Sequence, residues 1–445
     1  MSSTTLPTLV KEDVRENFYR LAFINILSNL MVPLSGFLSV AFLGHLQEIH
    51  YLAGVTLATI LFNYLYRTLS FLRMSTTAIT AQAVGKNNED LIWLTLMRNA
   101  LLAISLGILL LVFHQPLGNL GFAILSAVPE VKEAGQAYYD TRIWGAPATL
   151  LNFVLIGWFL GRGHSGKVFW MSLVGNGANI VLDYLLIIHF HTASAGAGLA
   201  TSISQYLMLL VGLVFICREL KLKKIRTLIG QIWLSQSWKE TLTLNRDIFI
   251  RTLAFLSTFS LFTNLSSAMG TMTLAENALL LQVITLTVYI VDGLAYATES
   301  MAGMFKGKGE YEQLYPLLQM SGQASLTIGL SFAVACLLFP NSLLGLLTNH
   351  ADVLECLHPY IPWLLPILGF GSLAFMLDGY FLGLAEGAIL RNTALVATLA
   401  GFVPLAMIAW QFQSCYLLWL ALSLFMVVRV TLLSLQVPKT LKNSI

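Results

Sequence analysis

Twelve apolar runs, each long enough to cross a bilayer as a helix, leave this chain little choice of fold. They lie near residues 20–44, 51–74, 93–115, 136–161, 167–190 and 194–217, then 248–270, 274–303, 316–340, 356–384, 391–411 and 413–437. A helical span takes roughly 20 residues, so twelve of them use about 240 and leave ordinary loops. Of the 445 residues 57% are hydrophobic and only 11% charged, against ~25% charged in soluble domains. Too little polar surface remains to coat a soluble globule, and disordered chains are poor in apolar residues. The runs are continuous rather than alternating, which excludes an outer-membrane barrel. The fold class predicted is all-α integral membrane, with twelve transmembrane helices.

The loops orient the spans. Lys and Arg collect on the cytoplasmic side of membrane helices. Lys86 follows span 2, Arg162 and Lys167 follow span 4, Lys306 and Lys308 follow span 8, and Arg391 follows span 10. The linker from Arg218 to Asp247 holds Arg218, Lys221, Lys223, Lys224, Arg226, Lys239 and Arg246. Loops after spans 1, 5, 7, 9 and 11 have no Lys or Arg, and the loop after span 3 has only Lys132. The asymmetry places both termini and the linker in the cytoplasm, with the chain multi-pass in the cytoplasmic membrane. The polar start, Met1 to Arg20, does not read as a signal peptide. A net charge of +3 without a basic block gives no footprint for nucleic acid. Cys217, Cys336, Cys356 and Cys415 are scattered and read as buried apolar residues, neither disulfides nor metal ligands.

The chain repeats itself. Shifted by about 222 residues, half its length, Leu151–Gly161 falls on Leu373–Gly383, with Leu151, Phe153, Leu155, Gly157, Phe159, Leu160 and Gly161 each meeting an identical residue. Gly85-Lys86 falls on Gly307-Lys308, and Tyr138 on Tyr360. Apolar bias produces chance leucine matches, but not glycines and lysines in register. Two halves of six spans enter from the same side and are related by an axis along the membrane normal. The expected organisation is 1–217 as an N-terminal six-helix lobe, 218–247 as a cytoplasmic linker and 248–445 as a C-terminal lobe. Two pseudo-symmetric lobes are the usual basis of alternating access in secondary transporters.

Competing chemistries find no support. Gly161-Arg162-Gly163-His164-Ser165-Gly166-Lys167 imitates a phosphate loop, but Val168 stands where Ser or Thr must hold magnesium, and no strand precedes it. His189 and His191 belong to an external loop, so no metal site is assigned. No HExxH or nucleophile elbow occurs, and an enzyme is not expected.

Ionisable groups at bilayer depth usually face a cavity or a partner. Asp183 in span 5 shares a helix face with Asn179 and Asn176, four and seven residues earlier. Asn152, Tyr138 and Tyr139 in span 4 are candidates to join them. Burial disfavours the charged form of a carboxylate, which lets such a group load and release a proton; amides and hydroxyls around it suit sodium equally. The repeat puts Leu405 opposite Asp183, so packing alone does not demand the charge. In the second half, Asp292 and Glu299 lie seven apart in span 8 and Asp378 lies in span 10, with Arg251 and Arg429 as possible counter-charges. Ion pairing that locks this half is the alternative role for these acids. Arg67 and Arg73 read as snorkelling or interhelical. Asp140 and Arg142 lie near the outer mouth of span 4, and each needs another partner. Pro33 permits a bend in span 1.

These residues resemble the multidrug and toxic compound extrusion (MATE) transporters, and within them the DinF-like branch. The resemblance covers nearly the whole chain. It rests on Pro33–Gly44 (PLSGFLSVAFLG), Gln82–Gly85 (QAVG), Asn179–Asp183 (NIVLD), Glu276–Gln282 (ENALLLQ), Val291–Glu299 (VDGLAYATE) and Leu377–Gly383 (LDGYFLG). It implies export of amphipathic, often cationic organic compounds by antiport with protons or sodium. The transported ion is cargo, so no cofactor is expected, and the partners are the organic substrate and the lipid bilayer, with a monomer as the default state. It also implies an N-lobe cation site pairing a span 1 Asp with Asn179 and Asp183. The span 1 motif usually reads Asp-Thr-Ala-Phe-x-Gly; here Ser39 replaces the acid in Ser39-Val40-Ala41-Phe42-Leu43-Gly44. Serine cannot carry the proton, so such a site relies on Asp183 with Ser39 as a neutral ligand, and the C-lobe acids become rivals for coupling. A major-facilitator-type or lipid/metabolite transporter and a non-transporting sensor are the alternatives. The first lacks its usual basic loop after span 2, where Gly85-Lys86-Asn87-Asn88-Glu89-Asp90 stands.

Overall fold

The computed structural model describes residues 6–46, 48–125, 127–219, 227–232, 235–347 and 351–442. Among these, twelve helices are long and apolar enough to cross a membrane. In chain order they are α1 (Val14–Gly44), α2 (Ile49–Gly85), α3 (Glu89–Val112), α4 (Pro129–Gly161), α5 (Ser165–His189), α6 (Ala193–Glu219), α7 (Trp238–Ala268), α8 (Thr271–Lys308), α9 (Tyr311–Leu338), α10 (Asp352–Gly383), α11 (Gly387–Gln411) and α12 (Cys415–Leu441). The linker residues Lys221, Lys223, Lys224 and Arg226 lie outside the described residues.

Several helices run past their apolar runs, for a physical reason. The last turns of α2 carry Ser75, Thr76, Thr77 and Thr80, all buried. Thr76 and Thr77 satisfy their hydroxyls on backbone oxygens one turn back, at 2.6 and 2.9 Å. Such a segment hides its polarity inside protein, so hydropathy ends the span too early. Asn88 caps α3, its side chain accepting from the Leu91 amide at 3.0 Å. A short helix, His114–Ile124, follows α3 where a loop was expected. Helix α4 passes through a 3-10 turn at Ile143–Gly145, and α5 and α11 each contain a π-helical turn, at Tyr184–His189 and Ala397–Phe402.

The chain divides into two compact units. One holds Leu27–Thr241; the other holds the chain up to Ile26 together with Leu242–Ile445. The first span is therefore divided, whereas contiguous halves would keep it whole. Its early turns pack on α8, where a Cβ at Gly293 would meet Ile26 Cγ1 at 2.5 Å. Helix α1 stays helical through Pro33.

The repeated glycines have one structural purpose. In the first unit a Cβ on Gly157 would strike the Arg73 carbonyl, and one on Gly161 would meet the Thr77 carbonyl at 2.6 Å. In the second, Gly379 faces the Ala295 carbonyl at 2.5 Å and Gly383 faces that of Glu299. Residues 73 and 77 become 295 and 299 under the same 222-residue shift, so α2 crosses α4 as α8 crosses α10. Small residues let helix backbones approach where lipid supplies no hydrophobic drive.

The second unit packs its core around Trp419, Phe262 and Phe425, with the Phe262 and Trp419 rings 4.9 Å apart. The four cysteines are all free; Cys336 and Cys415 are buried as expected, but Cys217 and Cys356 are exposed.

Candidate functional site

Asp183 ends the regular part of α5, immediately before its π-helical turn, a distortion frequent at functional sites. It is wholly buried. One carboxylate oxygen, Oδ2, accepts a hydrogen bond from the Ser39 hydroxyl of α1. The other, Oδ1, is buried without a partner among the described residues, as is Asn179 Nδ2 one turn earlier. Another turn back, Asn176 Oδ1 accepts from Ser35 Oγ at 3.0 Å, while its Nδ2 donates to the Ser172 carbonyl at 2.8 Å. Two serines four residues apart on α1 thus meet two polar residues seven apart on α5. The spacing follows from helix periodicity, which puts all of them on facing stripes. Ser39 stands where the resemblance would put an acid, and it donates to Asp183. Ser35 lies within the Pro33–Gly44 motif, but only its contact with Asn176 marks it.

The span 4 candidates go elsewhere. Asn152 Nδ2 donates to Gln205, to its backbone carbonyl at 2.9 Å and to Oε1 at 3.1 Å. The amide therefore ties α4 to α6, and its Oδ1 is buried without a hydrogen-bond partner among the described residues. Tyr139 donates its hydroxyl to the His114 carbonyl at 2.9 Å, fastening the short helix His114–Ile124 to α4. Both side chains spend their polarity on helix packing. Arg142 is the neighbour that matters. Its guanidinium lies over the Phe62 ring at 4.4 Å and near Tyr138 at 5.3 Å, donates to Tyr138 Oη at 2.5 Å, and is close enough for its charge to act on Asp183. Asp140 is exposed on another side of α4.

The acids of the second unit are arranged differently. Asp378 Oδ2 accepts from both Arg251 on α7 and Arg429 on α12, and all three are buried. The Arg429 guanidinium is also framed by Phe255, Phe375 and Phe425, at 5.2, 5.3 and 5.5 Å. Asp292 interacts electrostatically with Arg429, so two cations and two anions balance. Glu299 is fully buried in the later turns of α8 and has interactions of its own. Asp378, expected as a second ion carrier, is therefore a lock between three helices: two guanidiniums already hold the oxygen that would have to bind an ion. At the start of α8, Asn277 accepts from Trp419 Nε1 at 2.9 Å and donates to Ser266 at 2.8 Å, a buried packing device.

At the other end of the first unit, Glu219 accepts from Arg162 at 2.5 Å and from Lys167, closing the turn between α4 and α5 onto the end of α6. His164 sits in that turn; burial, with Arg162 and Lys167 beside it, holds its imidazole below the usual histidine range. The glycine-rich turn that imitates a phosphate loop is thus a clasp between helices. Among the described residues, no group of three His, Cys, Asp or Glu is placed to hold a metal.

Twelve helices in two structurally repeated halves, with Asp183 partly open and Asp378 locked, define a polytopic membrane protein built as secondary transporters are. The MatE family profile matches residues 25–185 and again 248–410, one copy in each half. The DNA damage-inducible protein F of Escherichia coli is 35% identical over 414 residues, covering 92% of this chain and 89% of that one. The probable multidrug resistance protein NorM of Thermotoga maritima is 24% identical over 357 residues, covering 79% and 76%. A solved multidrug resistance MATE family transporter in an outward-facing conformation superposes with a TM-score of 0.88 at 18% identity, covering 100% of this chain and 99% of the other. The chain belongs to the MatE family of multidrug efflux transporters, whose members are transporters of small organic compounds and not enzymes.

Proposed function

We propose that this protein exports amphipathic, cationic organic compounds by antiport with protons or sodium, and that Asp183 carries the coupling ion. The observation behind this is the contrast between Asp183 and Asp378, both buried within their helices. Asp378 is held by two arginines. Asp183 has one oxygen on Ser39 and one without a partner. A buried carboxylate with an open acceptor can take a proton or a desolvated cation, and Asn179 supplies a neighbouring amide. Ser39, Ser35 and Asn176 position the site from α1 and α5. Substrate cation and coupling ion then compete for one negative charge, which is the thermodynamic requirement for exchange. Conformational change is best placed at α1, which contributes to both units and contains Pro33. The protein works as a monomer in the cytoplasmic membrane, with both termini in the cytoplasm.

The test is efflux of a fluorescent organic cation from reconstituted liposomes under an imposed proton or sodium gradient. The parent should show gradient-driven flux, and Asp183→Asn should lose it while remaining folded. Flux that survives Asp183→Asn would remove this carboxylate from the mechanism.

A further inference from the structure

Arg142 is a membrane-embedded arginine with no carboxylate within 4.0 Å among the described residues. Its Nε is buried without a hydrogen-bond partner. Its surroundings are aromatic: Phe62 and Tyr66 from α2, and Tyr138 from its own helix. Charged groups at such depth are costly unless balanced. In the same unit lies Asp183, wholly buried where Arg142 is half-buried, and likewise without an ion pair among the described residues.

The first turns of α6 place these two residues at one depth. A Cβ on Gly196 would meet Leu186 Cβ, three residues beyond Asp183, at 3.2 Å. A Cβ on Gly198 would meet the Arg142 backbone nitrogen at 3.1 Å. Ser202, one turn on, donates to the carbonyls of Thr141 and Arg142 at 2.8 and 3.0 Å. The start of α6 is thus wedged between the Asp183 end of α5 and the Arg142 turn of α4. The aromatic frame and the bond to Tyr138 hold the guanidinium at that level.

We propose that Arg142 is the resident counter-charge of Asp183: a positioning residue that balances the empty carboxylate and competes electrostatically with the cation that enters. This rests on the role given to Asp183 above. It accounts for a site with a single acid. An ionised Asp183 beside Arg142 is neutral overall, so the carboxylate is not an uncompensated charge before a cation arrives. A bound cation leaves the pair with a surplus positive charge, which promotes its release. The lock in the second unit has the same ingredients, arginine among aromatic rings near an aspartate, but there contact is direct and nothing is left to bind.

The test measures ethidium binding to the purified full chain by fluorescence, together with thermal stability, for Arg142→Gln, Arg142→Lys, Asp183→Asn and the Asp183→Asn/Arg142→Gln double variant. Removing this unit charge should tighten ethidium binding roughly tenfold in Arg142→Gln while slowing its release. Arg142→Lys, which keeps the charge, should bind as the parent does. The double variant, neutral again, should be more stable than the summed losses of the two single variants. Should Arg142→Gln fail to fold, a folded double variant would still demonstrate charge balance, and a double variant that also fails would make Arg142 a packing residue and overturn the proposal. Unchanged affinity in Arg142→Gln, or additive losses of stability, would overturn it as well. Ethidium binding that is intact in Asp183→Asn would overturn the proposed function itself, and the counter-charge with it.

Discussion

Replacing Asp378 by leucine tests whether the second unit is held by its buried ion cluster. Arg251 and Arg429 both donate to the same carboxylate oxygen, and their side chains are only 9% and 2% exposed. Without the carboxylate they remain charged, unpaired and close together. At a separation on the order of 5 Å and an effective dielectric of about 20, their repulsion alone is about 3 kcal/mol. Breaking a buried pair by removing one partner costs about 3–5 kcal/mol in measured cases, so the two figures agree. Asp292 offsets part of this, since its charge already acts on Arg429. A loss of about 3 kcal/mol is therefore expected, read as a large fall in the thermal midpoint of the detergent-solubilised protein. The control is Asp378→Leu with Arg429→Met. Removing one of the two stranded cations should recover a substantial part of the loss, because the cost comes from unpaired charge rather than from the missing bonds. A single variant as stable as the parent, or a double variant less stable than the single, would refute the lock.

Other expectations follow from the same geometry. Ser39→Ala removes the hydrogen bond to Asp183 Oδ2, which should lower gradient-driven flux several-fold while changing stability by only about 1 kcal/mol. Gly383→Leu pushes a side chain into the Glu299 carbonyl; since α8 and α10 must separate, expression of folded protein should collapse, whereas Gly309→Ala, at an open position with φ of +79°, should cost only about 1 kcal/mol. Burial, with Arg162 and Lys167 beside it, holds the His164 imidazole below the ordinary histidine range in the folded protein. The unfolded chain thus takes up a proton first, and the stability this imidazole contributes is present above the unfolded value and lost as pH falls through the folded one. His164→Gln should flatten the decline in thermal midpoint between pH 7 and pH 5; an unchanged slope would exclude His164 as its source.

The membrane class, the span count and the repeat were legible in the sequence because each depends on a one-dimensional signal. Lipid demands long apolar runs whatever the tertiary arrangement. Duplicated glycines stay in register because both halves need the same close crossing, Gly157 and Gly161 against α2, Gly379 and Gly383 against α8. Asp183, Asn179 and Asn176 were also visible, since they share one helix and their spacing fixes a common face. Between helices that logic ends. Asn152 and Tyr139 sit in a suitable span, but their partners are Gln205 and the His114 carbonyl, and nothing in the local pattern says which neighbour a side chain will meet. The same holds for Asp378 and Asp183. In sequence each is the single acid of its apolar run, 167–190 and 356–384. Only packing put two guanidiniums against the first and left the second with a serine, an unfilled oxygen and an arginine standing off in an aromatic frame. Charge in a low-dielectric interior is governed by distances of a few ångströms, and those distances are set by how helices from remote parts of the chain come together.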